Sequence, residues 1–119
     1  MVKVAYASRS GNVEKIVNTL GVPDVLKIET GQEVIDGDYI IFTYSTGQGQ
    51  VPKIVETFLA KNSGVKAVVG SGSMAKHAKT FNFAAETISQ HYQIPILAKL
   101  DGTGTKEELE KLARTLEQY

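Results

Sequence analysis

The chain has 119 residues, in which 13 lysine and arginine residues balance 13 aspartate and glutamate residues. This length allows one domain with a single buried core, over residues 1–119, and the charge balance removes any general attraction to nucleic acid or to an anionic membrane surface. Because the sequence has no cysteine, disulfides, thiol redox chemistry and thiolate metal sites are excluded, and any redox activity must come from a bound cofactor.

Five short apolar runs predict β-strands, and they cover residues 2–7, 25–28, 39–44, 65–69 and 94–100. The third run is apolar without alternation, which is typical of a strand that is covered on both faces. No basic-then-apolar leader precedes the first run, and no apolar run is long enough to span a bilayer. We therefore expect a soluble, cytoplasmic protein.

Four helices are predicted from apolar residues at helical spacing and from local start and stop signals. The first covers residues 13–20 and ends before a glycine and a proline. The second has Pro52 at its first position, and the third covers residues 81–92. The fourth begins at Thr105, whose pairing with Glu108 matches a capping box.

The alternation of strands and helices implies right-handed crossovers and a parallel sheet with helices on both faces. Only residues 29–38 separate the second predicted strand from the third. That stretch is too short for a crossover helix, so we expect a shortened connection there. The predicted fold is an α/β, three-layer, flavodoxin-like sandwich with a five-stranded parallel sheet in the order 2-1-3-4-5.

Glycine-punctuated loops follow the first, third and fourth predicted strands, at the sheet edge where open parallel sheets bind their ligands. The candidate phosphate-binding residues of the first loop are Ser8, Arg9, Ser10, Gly11, Asn12 and Val13. Free N–H groups and the helix dipole at this helix start favour an anion, and Arg9 would either cover it or face solvent. The alternative is that Asn12 is only an N-cap and that the serines line a solvated turn.

The second loop supplies candidate contacts for a flat cofactor ring, namely Tyr44, Ser45, Thr46, Gly47, Gln48, Gly49 and Gln50. Gly47 and Gly49 allow the backbone to approach a ring closely and to offer it N–H or C=O groups. Tyr44 would either flank the ring or be a core residue with a hydrated hydroxyl. A merely tight turn between a strand and a helix rarely needs so many polar and glycine residues, so ligand contact is the favoured interpretation.

The third loop supplies the remaining candidate contacts, which are Ser71, Gly72, Ser73, Met74 and His77. Residues 70–75 also match the dinucleotide fingerprint G-x-G-x-x-A, and Asp101 ends the following strand in imitation of its ribose-binding acid. We interpret this match as a decoy, because the stretch before the next helix is too long and the fingerprint normally follows the first strand of its fold. His77 lies in a polar segment, where the alternative is a solvated histidine.

Other chemistries lack the residues that they need. The sequence has no G-x-x-x-x-G-K-[ST] run for a nucleoside triphosphatase, and neither the first nor the third predicted strand ends in a phosphate-accepting aspartate. His77 and His91 have no metal-ligand companions at useful spacing, and no serine has a plausible partnership with histidine and aspartate. We therefore predict no catalytic side chain and no metal site.

A series of short segments occurs in an order and spacing that resembles one family. They are Ser-Gly-Asn-Val at 10–13, Thr-Tyr-Ser-Thr-Gly at 43–47, Gly-Gln-Val-Pro at 49–52, Ser-Gly at 71–72, Ala-Glu-Thr-Ile-Ser at 85–89, Tyr-Gln-Ile-Pro-Ile-Leu at 92–97 and Gly-Thr at 102–103. With the shortened connection after the second strand, they resemble the NrdI proteins, flavodoxin-like FMN proteins that serve class Ib ribonucleotide reductase. The resemblance extends over nearly the whole chain.

The resemblance implies a mechanism in which FMN carries the chemistry. The phosphate would be held at residues 8–13, and backbone groups of residues 46–50 and 72–74 would contact the isoalloxazine ring. In this family, reduced flavin reacts with dioxygen, and the resulting superoxide passes to the dimanganese centre of the NrdF subunit to generate its tyrosyl radical. The resemblance thus implies an accessory protein rather than a stand-alone catalyst, with NrdF and an electron donor for the flavin as its partners.

The two ring loops depart from the family pattern. Gln48 stands where the family often has an aromatic residue, and residues 71–77 lack the usual Ser-Gly-Asn-x-Asn run with its following Phe or Trp. Without two stacking partners, we expect FMN affinity to fall by about one to two decades unless Met74, His77 or Tyr44 substitutes. Two alternatives remain open: a generic flavodoxin-like electron carrier, which would usually be markedly acidic, and a flavin-free interaction module that has lost the ring site.

Overall fold

The computed structural model describes residues 2–119. Its elements, in chain order, are β1 (Lys3–Tyr6), α1 (Asn12–Leu20), β2 (Val25–Lys27), β3 (Tyr39–Tyr44), α2 (Lys53–Lys61), β4 (Val65–Gly72), a short 3₁₀ turn (Ala78–Thr80), α3 (Phe83–Tyr92), β5 (Ile96–Asp101) and α4 (Lys106–Leu116). None of the helices in this range has the length and apolar character that crossing a lipid bilayer requires.

The sheet has the order β2-β1-β3-β4-β5, and every neighbouring pair of strands is parallel. The predicted order 2-1-3-4-5 is therefore confirmed, and the connection between β2 and β3 forms no helix, as expected. Because β1 lies between β2 and β3, the strand order reverses there. A crevice opens beside the carboxyl ends of the strands at such a switch point.

Alternating side chains of the strands form two apolar clusters, one on each face of the sheet. In β3, Ile40 and Phe42 belong to the cluster under α1 and α4, whereas Tyr39 and Ile41 belong to the cluster under α2 and α3. None of these four side chains is more than 1% exposed. The prediction that this strand is covered on both faces is confirmed, and the sheet is the middle of three layers.

A carboxylate holds the short connection between β2 and β3 in place of a helix. Glu33 accepts hydrogen bonds from the N–H groups of Glu29, Thr30 and Gly31 at 2.8, 3.0 and 2.9 Å. Burial would raise the pKa of Glu33, but these backbone hydrogen bonds outweigh it and lower the pKa to about 2. Asn62, which follows α2, donates to the carbonyl of Glu33 at 3.0 Å and fastens the connection to the core.

The fourth strand is longer than predicted, and this changes the third loop. β4 continues past residue 69 to Gly72, because Ser71 still pairs with Tyr44 in β3 and with Leu100 in β5. Gly70 lies inside the strand, where a Cβ would be 2.4 Å from Oδ1 of Asn82. Residues 70–72 are therefore strand, and the loop itself starts at Ser73.

Two helix starts also differ from the prediction, and one agrees with it. α3 begins at Phe83 rather than at residue 81, because Asn82 takes a left-handed conformation with φ 56°. Pro52 is the N-cap of α2 and not its first helical residue. The capping box of α4 is confirmed, with Glu108 N–H donating to Thr105 Oγ1 at 3.1 Å and the reciprocal bond at 2.9 Å. The predicted bounds of β3 agree with the structure, and the remaining boundaries differ by at most two residues.

Candidate functional site

A cavity of about 380 Å³ lies beside the carboxyl ends of β1, β3 and β4. This volume is within the range of small-molecule sites, and parallel α/β sheets bind ligands at this edge. The three predicted loops all contribute to its wall, so segments that are far apart in the chain converge on one site.

Most of the residues predicted to contact a cofactor line this cavity. Those that do not line it are Gly11, Thr46, Gln48, Gln50 and Met74. Met74 is 46% exposed, and its predicted contact with a cofactor ring stays a prediction. For the others, contact with a ligand stays a prediction.

The first loop presents backbone donors at the start of α1. Gly11 is the N-cap, with a left-handed φ of 95°, and Asn12 is the first helical residue, so the interpretation of Asn12 as a mere N-cap is wrong. Ser8 Oγ accepts the N–H of Glu14 at 3.3 Å. Among the residues described, no acceptor serves the N–H groups of Asn12 and Val13. Free N–H groups at the positive end of a helix dipole favour an anion, and binding of a phosphate here stays a prediction.

An acidic side chain next to this helix start is hydrogen-bonded and ion-paired with its neighbours. Glu14 accepts from the hydroxyl of Tyr6 at 2.8 Å and forms an ion pair with Lys27 at 3.0 Å. The hydrogen bond from Lys27, followed by that from Tyr6, lowers the pKa of Glu14. Burial and the hydrogen bond to this carboxylate raise the pKa of Tyr6 to about 12. The network ties α1 to the sheet, and the positive charge of Lys27 offsets the negative charge of Glu14 near the helix start.

Arg9 and Tyr44 form a pair on the cavity wall. The guanidinium carbon of Arg9 lies 5.7 Å from the centroid of the Tyr44 ring, within the range of a cation–π contact. Tyr44 is half-buried and packs against both apolar clusters. Tyr44 is thus both a core residue and a residue of the cavity wall. From the sequence alone, these two positions are alternatives.

The second loop is closed on itself. The carbonyl of Thr46 accepts the N–H groups of Gly49 and Gln50 at 3.0 and 2.8 Å, and Thr46 N–H donates to the carbonyl of Gln50 at 2.9 Å. These N–H groups are therefore already used. Gly47 and Gly49 have φ values of 52° and 92°, a conformation that glycine adopts without strain. The loop offers the cavity its two glycine backbones, while the side chain of Gln48 stays exposed outside it.

The third loop is anchored to the end of β5. Ser71 Oγ donates to the carbonyl of Gly102 at 2.6 Å, and Gly102 N–H donates to the carbonyl of Gly72 at 2.7 Å. Asp101, the acid that imitates a ribose ligand, accepts the N–H of Met74 at 3.2 Å. The carboxylate holds the loop, which supports the interpretation of the fingerprint as a decoy.

Basic side chains dominate the charge of the wall. Arg9, Lys76 and His77 line the cavity, and among the residues that the structure describes no Asp or Glu does so. Lys76 and His77 are set by a turn in which His77 N–H donates to the carbonyl of Ser73 at 2.8 Å and Lys76 N–H donates to Ser73 Oγ at 3.2 Å. Such a wall favours an anionic ligand.

The sequence did not indicate Lys76, Thr80, Phe81 or Asn82, all of which line the cavity. All four residues belong to the long stretch between β4 and α3. The length of this stretch was the one feature of the sequence that could have indicated a functional role, because long loops in compact domains are often functional. Asn82 is 1% exposed and donates from Nδ2 to the carbonyl of Leu100 at 3.2 Å. Its Oδ1 has no hydrogen-bond partner among the residues described.

Comparison with known proteins agrees with this geometry. A family model described as "NrdI Flavodoxin like" matches residues 4–114. A protein named NrdI from Bacillus licheniformis is 33% identical over 99% of this chain and 89% of its own length. An SPbeta prophage-derived protein NrdI from Bacillus subtilis strain 168 is 31% identical over 96% of this chain and 90% of its own length.

The fold is also that of solved flavodoxins. Oxidised Flavodoxin 1 from Bacillus cereus superposes with a TM-score of 0.70 at 20% identity, covering 96% of this chain and 92% of that protein. At this identity the likeness concerns the fold alone, and it confirms the predicted flavodoxin-like architecture.

Proposed function

The chain belongs to the NrdI flavodoxin-like family, and from this membership we propose that it binds FMN in the cavity and serves a class Ib ribonucleotide reductase. The family implies a flavin cofactor and an association with ribonucleotide reductase. FMN itself, and NrdF as the partner that receives an oxidant, are the further steps of the proposal.

The observation that carries the proposal is a pair of N–H groups, from Asn12 and Val13, that have no partner among residues 2–119. They lie on the wall of a cavity that two glycine loops also border. A ligand that fits has an anionic end and a flat end. FMN has both, as a phosphate and an isoalloxazine ring. The reversal of strand order between β1 and β3 is the place where this strand order binds FMN in flavodoxins.

At the phosphate end, the chain provides backbone donors and nearby positive charge. The N–H groups of Asn12 and Val13 would donate to phosphate oxygens, with the helix dipole adding to the attraction. Ser8 keeps this turn in place through its bond from Glu14 N–H. Arg9 and Lys76 lie on the same wall and add to the attraction for the phosphate dianion.

At the ring end, the chain provides backbone edges and a fixed shape. Gly47, Gly49 and Gly72 allow close approach of a ring to the main chain. Ser45 holds the second loop to α3, because its Oγ accepts the N–H of Ala84 at 3.2 Å. In this proposal the residues of both ends bind and orient the cofactor.

When bound and reduced, FMN would supply one electron to dioxygen and so give superoxide, the oxidant for the dimanganese centre of the NrdF subunit. The chemistry belongs to the cofactor, and an external electron donor would return it to the reduced state. The protein's part would be to hold the ring against the glycine loops of the cavity wall.

The first test is to titrate the purified protein with FMN, riboflavin and inorganic phosphate. Binding is measured by calorimetry and, for the two flavins, by visible absorption. We expect FMN to bind more tightly than riboflavin, because only FMN reaches the anion site. Absence of flavin binding would overturn the proposal and favour the flavin-free module.

The second test addresses the partner. Reduced, FMN-loaded protein is mixed with a dimanganese-loaded class Ib small subunit and dioxygen, and the tyrosyl radical is followed by electron paramagnetic resonance. Radical formation that requires the flavoprotein supports the proposal. Flavin binding without radical formation would favour the generic electron carrier.

A further inference from the structure

Phe81 is an aromatic residue on the cavity wall that belongs to none of the predicted ring contacts. It lies between the 3₁₀ turn Ala78–Thr80 and α3, and its side chain is half-buried. A Cβ built on Gly72 would be 3.3 Å from Cδ1 of Phe81. The Phe81 ring therefore lies against Gly72, the last residue of β4, and a side chain at Gly72 would crowd it.

The backbone on the C-terminal side of Phe81 is firmly held. Asn82 is 1% exposed, takes a left-handed conformation and donates to the carbonyl of Leu100 in β5 at 3.2 Å. The Asn82 side chain also packs against Gly70 in β4. Phe81 is thus fixed relative to the strands, although it follows a long loop.

Other aromatic side chains near the cavity are less suited to contact a flat apolar ring. Tyr44 already has the guanidinium of Arg9 near its face, at 5.7 Å. His77 is exposed and polar. Phe83 is 42% exposed and is not part of the cavity wall. It packs against Gly49 instead, since a Cβ on Gly49 would be 2.6 Å from the Cβ of Phe83.

We propose that Phe81 supplies the aromatic surface against which the flavin ring packs, in place of the aromatic residues that the two ring loops lack. The inference rests on the proposed flavin binding and assigns a side chain to the ring end of that same site. Because Phe81 contacts the ring and not the phosphate, it contributes equally to the affinity for FMN and for riboflavin.

The test compares Phe81→Ala, Phe81→Leu and Phe81→Tyr with Phe83→Ala as the matched control, using FMN, riboflavin and inorganic phosphate as ligands. We expect Phe81→Ala to raise the Kd of both flavins by about tenfold and to leave phosphate binding unchanged. Phe81→Tyr should keep wild-type affinity, Phe81→Leu should be intermediate, and Phe83→Ala should have no effect. Far-UV circular dichroism and thermal unfolding without ligand identify any variant that is not folded.

Several outcomes would overturn the inference. One is a loss of affinity in Phe83→Ala as large as that in Phe81→Ala, and another is a loss for FMN without one for riboflavin. A third is unchanged affinity in folded Phe81→Ala or, should alanine unfold the protein, in Phe81→Leu. Wild-type protein that binds neither flavin would contradict the proposed function itself, whereas wild-type binding with unaffected Phe81 variants would contradict this inference alone.

Discussion

The two ends of the cavity are built in different ways. The proposed phosphate end is local: Ser8 Oγ accepts the N–H of Glu14, and Gly11 takes a left-handed conformation. The N–H groups of Asn12 and Val13, which have no partner among residues 2–119, follow in the first turn of α1. The ring end is assembled over long distances, with Ser45 bonded to Ala84 and Met74 bonded to Asp101. The difference teaches that the backbone donors of the proposed anion site come from one segment, whereas the proposed ring site depends on the tertiary fold around it.

Substitutions at the two ends of the cavity should have different effects. A change at the phosphate end should alter affinity for the anion and disturb little else, since its contacts are to neighbours in sequence. A change at the ring end should lower the free energy of unfolding as well, because its contacts join β3, β4, β5 and α3.

The largest effect is expected for Gly70→Ala at the ring end. A Cβ there would be 2.4 Å from Asn82 Oδ1 and 2.9 Å from the Cβ of Ala85, both in the packed interior. We expect the free energy of unfolding to fall by about 2 kcal/mol. Chemical denaturation measures it. Gly11→Ala is the control, and a loss for Gly70→Ala no larger than for that control would contradict the contrast.

Gly11→Ala itself should act mainly on the anion. Within the described residues 2–119, no atom lies within 4 Å of a Cβ at this position, but the φ of 95° is unfavourable for alanine by about 1 kcal/mol. The turn should rearrange and misdirect the N–H groups of Asn12 and Val13, so FMN affinity should fall by about tenfold. Calorimetry with riboflavin is the control, and an equal loss for riboflavin would show that the two ends are not independent.

Ser45→Ala should loosen the ring end by a smaller amount. It removes the acceptor for the N–H of Ala84 in the first turn of α3, which corresponds to the loss of a helix cap and costs about 1 kcal/mol. Amide hydrogen exchange at Ala84 should become faster. Ser10→Ala, on the exposed part of the wall, is the control and should leave exchange at Ala84 unchanged. Unchanged exchange in Ser45→Ala would mean that this bond does not hold the loop.

The smallest effect is expected for Lys76→Glu. It reverses a charge on the cavity wall and should weaken FMN binding by about threefold at low salt, with the difference shrinking as salt is added. Lys79→Glu, in the same segment but outside the wall, is the control. If both variants lost affinity equally, the effect would come from the overall charge of the protein and not from the site.

Much of the fold was predictable because the signals are local. The non-alternating run that became β3, the short connection after β2 and the pair Thr105 and Glu108 each identified an element that the structure confirms. The end of β4 was not predictable in this way. Gly70 and Ser71 have the composition of a loop, but pairing with β3 and β5 keeps them in the sheet.

The candidate site shows the same division. Its glycine loops were visible in the sequence, since each follows a strand at the same edge of the sheet. The use of Ser71, Asp101 and the N–H of Thr46 as internal anchors was not visible, because each of these bonds depends on a fold-specific distance. The apolar pattern predicts Phe81 in a helix. In the structure, Asn82 takes a left-handed conformation before α3, and Phe81 lies on the cavity wall.

The sequence by itself therefore determined the order of the elements, the sheet topology and the three loops that surround the cavity, because apolar periodicity and turn chemistry act over a few residues. Only the tertiary structure decided which polar groups of residues 2–119 remain unpaired and that Phe81 lies on the cavity wall. Those choices depend on contacts between residues far apart in the chain, such as Phe81 with Gly72 and Asn82 with Leu100. Such contacts are made when the layers pack.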